Sequence, residues 1–596
     1  MSKGRTFRRQ LTIEWRSRLE NPEIARVLWE TADLMEIAGE EPFRIRSYRN
    51  GATAVEGYPE RIADILRDPH RNVTEIPGIG KGLAHVLAEI EERGSCERRD
   101  LLLQKFPPTA LEFLKIQGLG PKSIALIFEH YRISTIDELE RLCQEQKLRV
   151  LPRMGAKLEE KVLRSIAQYR QRSGRYLLSY AEGVAAELIE ALGQVPGVEA
   201  VTPAGSLRRG RETVGDLDLL VTGPAAAAAL ERFVTYPRVE EVLGRGENKA
   251  SAKVGREGLQ VDVRALAPAN FGAALQYFTG SKDHNVAIRT RAVKMGLKLS
   301  EYGLFRVEGD IRVAGETEAG VYEGLGLPWI PPELRENRGE IEAAEQGRLP
   351  ELVELKQIRG DLHMHTTETD GRATLDEMAE AARARGYEYI AITDHSKALA
   401  MANGLDEKRV VAFAKQVREI NRDATFPGLR IFSGIECDIL KDGALDLAND
   451  ALAELDLVIA SVHSHMNMEA GEMTDRLLRA LECKHVRILG HPTGRLLLHR
   501  DPFPFDFDRV AAEAVRRGVW LEINASPERL DLHGALIRNA QAKGARFAIS
   551  TDAHHPKQLD YMRYGVVTAR RGWLGPDDIL NTLPAKRFAA ALQSKL

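Results

Sequence analysis

The stretch GDLHMHTTETDG, residues 360–371, follows a short apolar run and carries His363, His365 and Asp370. Two residues apart on an extended chain, the imidazoles project from one face and can hold one metal ion through nitrogen, with the carboxylate a few residues on. The histidine distribution points the same way. Eleven of the fifteen histidines lie after residue 360, several of them next to carboxylates at the ends of apolar runs. They are Asp394 and His395 in TDHS, Glu436 in GIECD, His463 and His465 in SVHSH, His491 in LGHPTG, and Asp552, His554 and His555 in STDAHH. Mixed nitrogen and oxygen ligation admits Zn²⁺, Mn²⁺ or Fe²⁺. Clustered divalent ions activate water near neutral pH and stabilise charge on a phosphoryl group, which is the chemistry of phosphoester hydrolysis.

A second constellation uses oxygen alone. AGSLRRGRETVGDLDLLVTG places Asp216 and Asp218 two apart on a predicted strand, hence on one face. Like charges so close repel unless a cation lies between them. Oxygen ligands suit Mg²⁺ or Mn²⁺, and Asp262 in LQVDVRAL is the natural third carboxylate, from a neighbouring strand, for a two-metal site. Upstream, Gly205 and Ser206 make a Gly-Ser turn opening a helix that can hold triphosphate oxygens, and Arg208, Arg209 and Arg211 supply charge for them. The bland alternative has Asp216 capping a turn and Asp218 facing solvent.

A third pattern is repeated. EIPGIGKGLAHVLAEI, IQGLGPKSIALIFE and VLPRMGAKLEEKVLRSI each set a tight turn before an amphipathic helix. Gly78 and Gly80, and Gly118 and Gly120, would let backbone N–H groups approach a phosphate with no Cβ in the way. In the third copy Arg153 stands where the first glycine would be, which makes it a degraded copy.

These residues need elements to position them. Residues 21–172 have helical periodicity broken by Gly and Pro turns, without period-two strands. Strands alternate with a helix between about 175 and 335, a mixed α/β region. LGLPWIPPELRENRGEIEAAEQGRLPELVEL, rich in Pro and charge, reads as a connector. Beyond it, YIAIT, LRIFSGIE, LDLVIASVH, VRILGH, VWLEINA and RFAIST alternate with amphipathic stretches, implying parallel strands with crossover helices closed into a barrel. The 596 residues exceed one core, and 43% hydrophobic with 29% charged residues is an ordinary soluble composition. No apolar run reaches bilayer length, and the basic arm 1–20 lacks a secretory apolar block, so a cytoplasmic protein without membrane contact is expected. Cys96, Cys143, Cys437 and Cys483 lack paired spacing, which leaves any metal to histidine and carboxylate. Net charge is −3, yet residues 1–175 carry 31 Lys+Arg against 26 Asp+Glu, a mild asymmetry that permits a nucleic-acid-facing front.

The palm-like motifs closely resemble the family X DNA polymerases of the nucleotidyltransferase superfamily, the bacterial branch in particular. The resemblance rests on GS with its following arginine, GDLDLL, YFTGSKDHN and RAVKMGLKLSEYGLF. It implies that Asp216, Asp218 and Asp262 bind two Mg²⁺ or Mn²⁺ ions, and that Ser206, Arg209, Gly215 and Arg175, beside Gly205, contact a deoxynucleoside triphosphate. Tyr277, Phe278 and Gly280 would lie against the sugar, and Asn285 and Arg289 would face the base pair and template. The Gly turns resemble helix-hairpin-helix motifs, which grip nucleic-acid backbone without reading sequence. The helical front, from EEPFRIRSYRNGATAV onward, resembles the family's small lyase domain but departs from it. Val86 occupies the Schiff-base lysine position and Gly82 replaces another lysine, so lyase chemistry by that route is not expected.

Residues 358–596 resemble the polymerase-and-histidinol-phosphatase (PHP) domain, a distorted (β/α)7 barrel with three divalent metals. By that resemblance His363, His365, Glu436 and Asp552 hold one ion. Glu436 bridges to a second with His463 and His491, and Asp370, His395 and His554 hold a third. His465, His499, His533 and His555 have no motif role and are expected at the surface or behind the ligands. The implied order is a basic arm (1–20), a lyase-like helical domain (21–95), a second helical subdomain (96–172), a palm (173–265), a nucleotide-selecting subdomain (266–335), a linker (336–357) and the barrel (358–596). The whole reads as a gap-filling repair polymerase on gapped or nicked duplex DNA, fused to a 3′-5′ exonuclease and 3′-end phosphoesterase, with other repair proteins as possible partners. Its rivals are a template-independent nucleotidyltransferase with a small-molecule phosphoesterase barrel, and a DNA-binding scaffold with vestigial catalytic domains.

Overall fold

Apolar residues three and four apart make the front of the chain helical. The computed structural model describes residues 21–593 except 57, 59, 108, 109, 117, 134, 153, 173 and 256. The basic arm and Arg153 therefore lie outside the described residues. Two compact units divide the chain, residues 1–173 and 174–596.

The first unit is built of helices, including α1 (Asn21–Ile37), α2 (Pro42–Glu56), α3 (Lys81–Arg93), α4 (Pro121–Tyr131) and α5 (Ala156–Arg172). One core gathers Leu28, Ala52, Leu87 and Ile90, and a second gathers Phe113, Ile124, Ile127 and Ile166. Each fully buried Leu, Ile or Phe contributes about 1.5–3 kcal/mol. Val86 packs, half-buried, against the first core.

The second unit opens with a five-stranded sheet. Its strands are β1 (Ala200–Pro203), β2 (Asp216–Thr222), β3 (Val239–Arg245), β4 (Lys249–Val254) and β5 (Leu259–Leu266), in spatial order β1-β2-β5-β4-β3. Only β2 and β5 run parallel. Helices α6 (Leu178–Gly193) and α7 (Ala226–Val234) cover one face and bury Leu188 and Phe233 with Leu217, Leu219, Val261 and Val263. Next come α8 (Phe271–Thr279), α9 (Lys282–Lys294) and a three-stranded antiparallel sheet, β6 (Leu297–Ser300), β7 (Gly303–Arg306) and β8 (Arg312–Ala314). The segment after residue 335 is packed along much of its length. Glu340 is buried against His284, whose Nδ1 lies 2.6 Å from its carboxylate, and Ile341, Ala344 and Leu352 join the neighbouring core.

Seven parallel strands follow: β9 (Gly360–Asp361), β10 (Tyr389–Ile392), β11 (Arg430–Asp438), β12 (Leu457–Ser461), β13 (Val486–Leu489), β14 (Trp520–Asn524) and β15 (Phe547–Ser550). A parallel bridge between Met364 and Ala553, with the His365 N–H donating to the Ala553 carbonyl at 2.8 Å, brings the ends together into a nearly closed barrel. Period-two alternation sorts the side chains of these strands. Ile390, Ile392, Leu521 and Ile523 join the main core, while Tyr389, Ala391, Phe432, Ile459, Ile488, Trp520 and Ala548 form a separate cluster. Helix α11 (Ala585–Gln593), which comes after α10 (Met562–Arg571), packs into that cluster and stacks Phe588 on Tyr389 at 4.5 Å. Further along the same strand faces come Glu436 two pleats beyond Phe432, and Glu522 one pleat beyond Trp520. Polar groups thus collect at the C-terminal strand ends.

Candidate active sites

The first site rests on β2 and β5. Strand alternation buries Leu217 fully and leaves Asp216 exposed and Asp218 half-buried on the other face. The parallel register sets Asp218 directly beside Asp262. Gly205, at φ +61°, passes so close that a Cβ there would come within 3.0 Å of Asp218 Oδ2, which explains the glycine of the Gly-Ser turn. Burial, and next the Asp216 charge, push the Asp218 carboxyl up to about 6. Burial would raise Asp262 as well, but Lys249 Nζ at 2.5 Å from Oδ2, with Ser251 and Gln260, outweighs it and holds that carboxyl below the ordinary range. An oxygen-only set in which one member is repelled by its neighbours fits divalent cations.

All ten residues expected around a nucleotide line one cavity of about 650 Å³ together with Asp216 and Asp218. Arg175 is fixed by donating from Nε to Thr213 Oγ1 at 2.7 Å. The Tyr277 and Phe278 rings meet edge to face at 5.1 Å, and the Arg289 guanidinium lies 5.7 Å from the Tyr277 ring centre. Asn285 is buried and bound within the protein, donating to the Tyr277 carbonyl at 2.7 Å and accepting from Gln276 at 2.8 Å. Arg208, expected to add charge, instead pairs with Glu318 at 2.7 and 2.8 Å and is not among the lining residues.

The second site is at the barrel mouth, where all nine expected ligands meet. Among the described residues, three sets of ligand atoms lie within 4.8 Å of one another: His363, His365 and Asp552; His365, Asp370, His395 and His554; and His395, Glu436 and His463. His491 Nε2 lies 2.9 Å from Glu436 Oε1, and His363 Nε2 is 3.4 Å from Glu436 Oε2. Glu436 is therefore central to the cluster. The partition differs in that His365 also stands with the Asp370 set and His395 Nδ1 faces Glu436 at 2.9 Å. His465 and His499 are exposed, whereas His533 and His555 cap helices by accepting from Ala535 N and Lys557 N.

The donors fit metal ions. His363 Nε2 and His365 Nδ1 are buried and make no hydrogen bond. Burial opposes charge on His395 and His463, yet Glu436 outweighs it, aided by Asp370 at the first and Asp438 at the second, pushing them up to about 10 and about 9. Cations would replace those protons.

Four supporting residues were given no role by the sequence reading. Glu522, fully buried, takes His363 Nδ1 at 2.7 Å through one oxygen and the His491 N–H at 2.6 Å through the other. Asp438 lies 3.2 Å from His463 Nδ1, and Asn524 donates to Asp552 Oδ2 at 3.1 Å. Such outer carboxylates fix the ring orientation of metal-binding imidazoles. Asp394 is no ligand: it accepts from Thr366 N–H, Thr366 hydroxyl and Thr369 hydroxyl at 2.6–2.8 Å and so shapes the loop that delivers Asp370. The available signals were an acid alternating with Asn524 in an apolar strand, and Asp438 two residues beyond Glu436.

DNA polymerase/3'-5' exonuclease PolX of Bacillus subtilis (strain 168) is 38% identical over 577 residues, covering 96% of this chain and 100% of that protein. The chain belongs to the PolX family. DNA polymerase lambda of Rattus norvegicus is 25% identical over 325 residues, 50% of this chain and 53% of that protein. A probable phosphatase of Thermoanaerobacter sp. (strain X514) is 26% identical over 234 residues, 37% of this chain and 89% of that protein. Family models match at residues 19–96 (helix-hairpin-helix domain), 110–168 (SAM-like helix-hairpin-helix tandem), 274–336 (DNA polymerase beta thumb) and 361–526 (PHP domain). Asp552 and His554 lie beyond the PHP match, and β15 carries the chain back to the site. The family's two activities are metal-dependent, and its helix-hairpin-helix and thumb domains imply DNA binding. No described helix is long and apolar enough to cross a membrane.

In the first unit, Gly78 and Gly118 adopt φ +92° and +103°. Gly80 and Gly120 are the residues before α3 and α4, extended and without a side-chain cap. No heavy atom would meet a Cβ within 4 Å at either one, so the helix starts are open to a ligand.

Proposed function

We propose that this chain is a DNA-directed DNA polymerase that fills short gaps during DNA repair and that its barrel is a 3′-5′ exonuclease and 3′-end phosphoesterase. The observation that carries the reading is that a chain-long PolX match coincides with two separate donor sets, one of oxygen in the palm and one of nitrogen and oxygen in the barrel. Asp216, Asp218 and Asp262 would hold two Mg²⁺ or Mn²⁺ ions, which supply charge to the transferring phosphoryl group. Ser206, Arg209, Gly215 and Arg175 bind the triphosphate of a deoxynucleotide. Tyr277, Phe278 and Gly280 restrict the sugar, and Asn285 and Arg289 face the nascent pair.

In the barrel, the nine ligands would hold three ions, Zn²⁺, Mn²⁺ or Fe²⁺, which when bound supply Lewis-acid charge and activated water for hydrolysis. Glu522 and Asp438 keep His363 and His463 in the ligating orientation, and burial of His363, His365, Glu436 and His491 limits competition from bulk water at the floor of the site. The starts of α3 and α4 grip the backbone of gapped or nicked duplex, and work on DNA suits a cytoplasmic location. The test is a labelled gapped duplex incubated with and without deoxynucleotides, in Mg²⁺ and Mn²⁺ separately. Extension with nucleotides and 3′ shortening without them are expected. Extension without a template would favour template-independent transfer, and neither reaction would favour a scaffold.

A further inference from the structure

Behind the nucleotide cavity stands an arginine of the barrel region. Arg571 closes α10, is 7% exposed and is not among the residues lining the cavity. Its Nη1 donates to the Arg209 carbonyl at 2.7 Å and lies 3.1 Å from Glu336 Oε1. The same oxygen accepts from Arg209 Nε at 3.2 Å, and Glu336 Oε2 stands 3.7 Å from Arg211 Nη1. Three guanidiniums thus converge on one carboxylate. Glu336, Arg209 and Arg211 all line the cavity. The approach is built into the chain: at Gly210, φ +63°, a Cβ would come within 2.1 Å of Val567 on α10, so only glycine lets the segment after Arg209 pass. Burial alone would raise the Glu336 carboxyl, but Arg571, then Arg209 and Arg211, outweigh it and hold it below its ordinary value.

We propose that Glu336 occupies the triphosphate's place on Arg209 and Arg211 while the cavity is empty, and that Arg571 is the positioning residue that draws it aside, so that the barrel sets the nucleotide affinity of the palm. A triphosphate and the Glu336 carboxylate compete for the same guanidiniums. Yielding them is costly to a largely enclosed carboxylate unless another cation keeps it paired, and Arg571 is that cation. Without Arg571, Glu336 is left to Arg209 and Arg211 alone and competes harder with nucleotide. Glu212, the other carboxylate influenced by Arg571, retains Arg495 and Arg211 as counter-charges.

The inference rests on the nucleotide reading of the cavity. Its test is steady-state filling of a one-nucleotide gap by the full chain, comparing the parent with Arg571→Met, Glu336→Gln and the double variant. Arg571→Met should raise the deoxynucleotide KM about tenfold with kcat within about twofold, a typical coupling between neighbouring charges. Exonuclease rate and bound metal should not change. Glu336→Gln should lower KM, and adding Arg571→Met to it should change nothing further. An unchanged KM in Arg571→Met, a loss confined to kcat, or a penalty that persists in the Glu336→Gln background would overturn the proposal, the last by showing that Arg571 only joins barrel to palm. Should Arg571→Met not fold, Glu336→Gln decides alone: a lower KM supports the proposal and a higher one refutes it. A parent that cannot fill the gap at all would defeat the nucleotide reading itself.

Discussion

The palm and the barrel solve opposite problems with divalent ions. In the palm, three carboxylates from two strands share their space with Lys249 and Arg264, Asp216 is exposed, and the trio is not among the described sets that close within 4.8 Å. In the barrel, His363, His365, His395, Glu436 and His491 are buried, only Asp370 of the nine is exposed, and the ligands lie within reach of one another, backed by Glu522 and Asp438. An open oxygen site is completed by ions that arrive with a triphosphate, because Mg²⁺ keeps part of its water and takes substrate oxygens as ligands. A nitrogen-rich site whose imidazoles are held by outer carboxylates would bind its ions more tightly and would not need substrate oxygens to complete it. On the proposed function the difference would be one of preorganisation, the palm completing its ligand set with the nucleotide and the barrel having its own.

The comparison breaks most visibly by removing one side. Asp218→Ala with Asp262→Ala should cut primer extension by about 10²–10³-fold or more while 3′ shortening of a labelled primer continues. Normal extension by this variant would mean that the palm assignment is wrong. The mirror experiment, His363→Ala with His365→Ala, should abolish 3′ shortening and empty part of the barrel with gap filling retained. Chelation should stop both reactions, with extension returning on Mg²⁺ addition alone.

Smaller changes sharpen it. Glu522→Gln leaves the nine ligands in place and weakens the group that holds the His363 ring and the His491 backbone, so metal affinity should fall about 10–100-fold as read by competition with a chelator. An unchanged affinity would deny the outer carboxylate its role. The smallest effect is expected in the helical unit. Gly80→Ala and Gly120→Ala place a methyl in open space at extended residues, so the fold should hold while duplex affinity drops several-fold and stays salt-dependent. Gly118→Val is a poorer probe, since its φ is positive and a Cβ would press within 2.9 Å of Leu158.

Much of this was legible in the sequence because it is local. Period two put Asp216 with Asp218, and His363 with His365, on single faces, and runs such as VWLEINA and RFAIST marked the barrel strands. Asp262 needed one added assumption, a neighbouring strand, which β5 supplies. The β3–β4 hairpin carrying Lys249 gave no signal, since VEEVLGR is mostly exposed and does not alternate. Arg208 looked like a phosphate ligand because nothing nearby in sequence predicts Glu318, 110 residues on. The connector looked merely polar, yet Glu336 and Glu340 are paired with Arg571 and His284, and such pairings have no local trace.

Elemental analysis of the full chain after exhaustive buffer exchange measures directly where metal is retained. The parent should retain about three divalent ions per chain, as should Asp218→Ala with Asp262→Ala, while His363→Ala with His365→Ala should retain fewer. A metal-free parent, or loss of metal from the palm variant with full retention in the histidine variant, would contradict the assignment of borrowed ions to the palm and resident ions to the barrel.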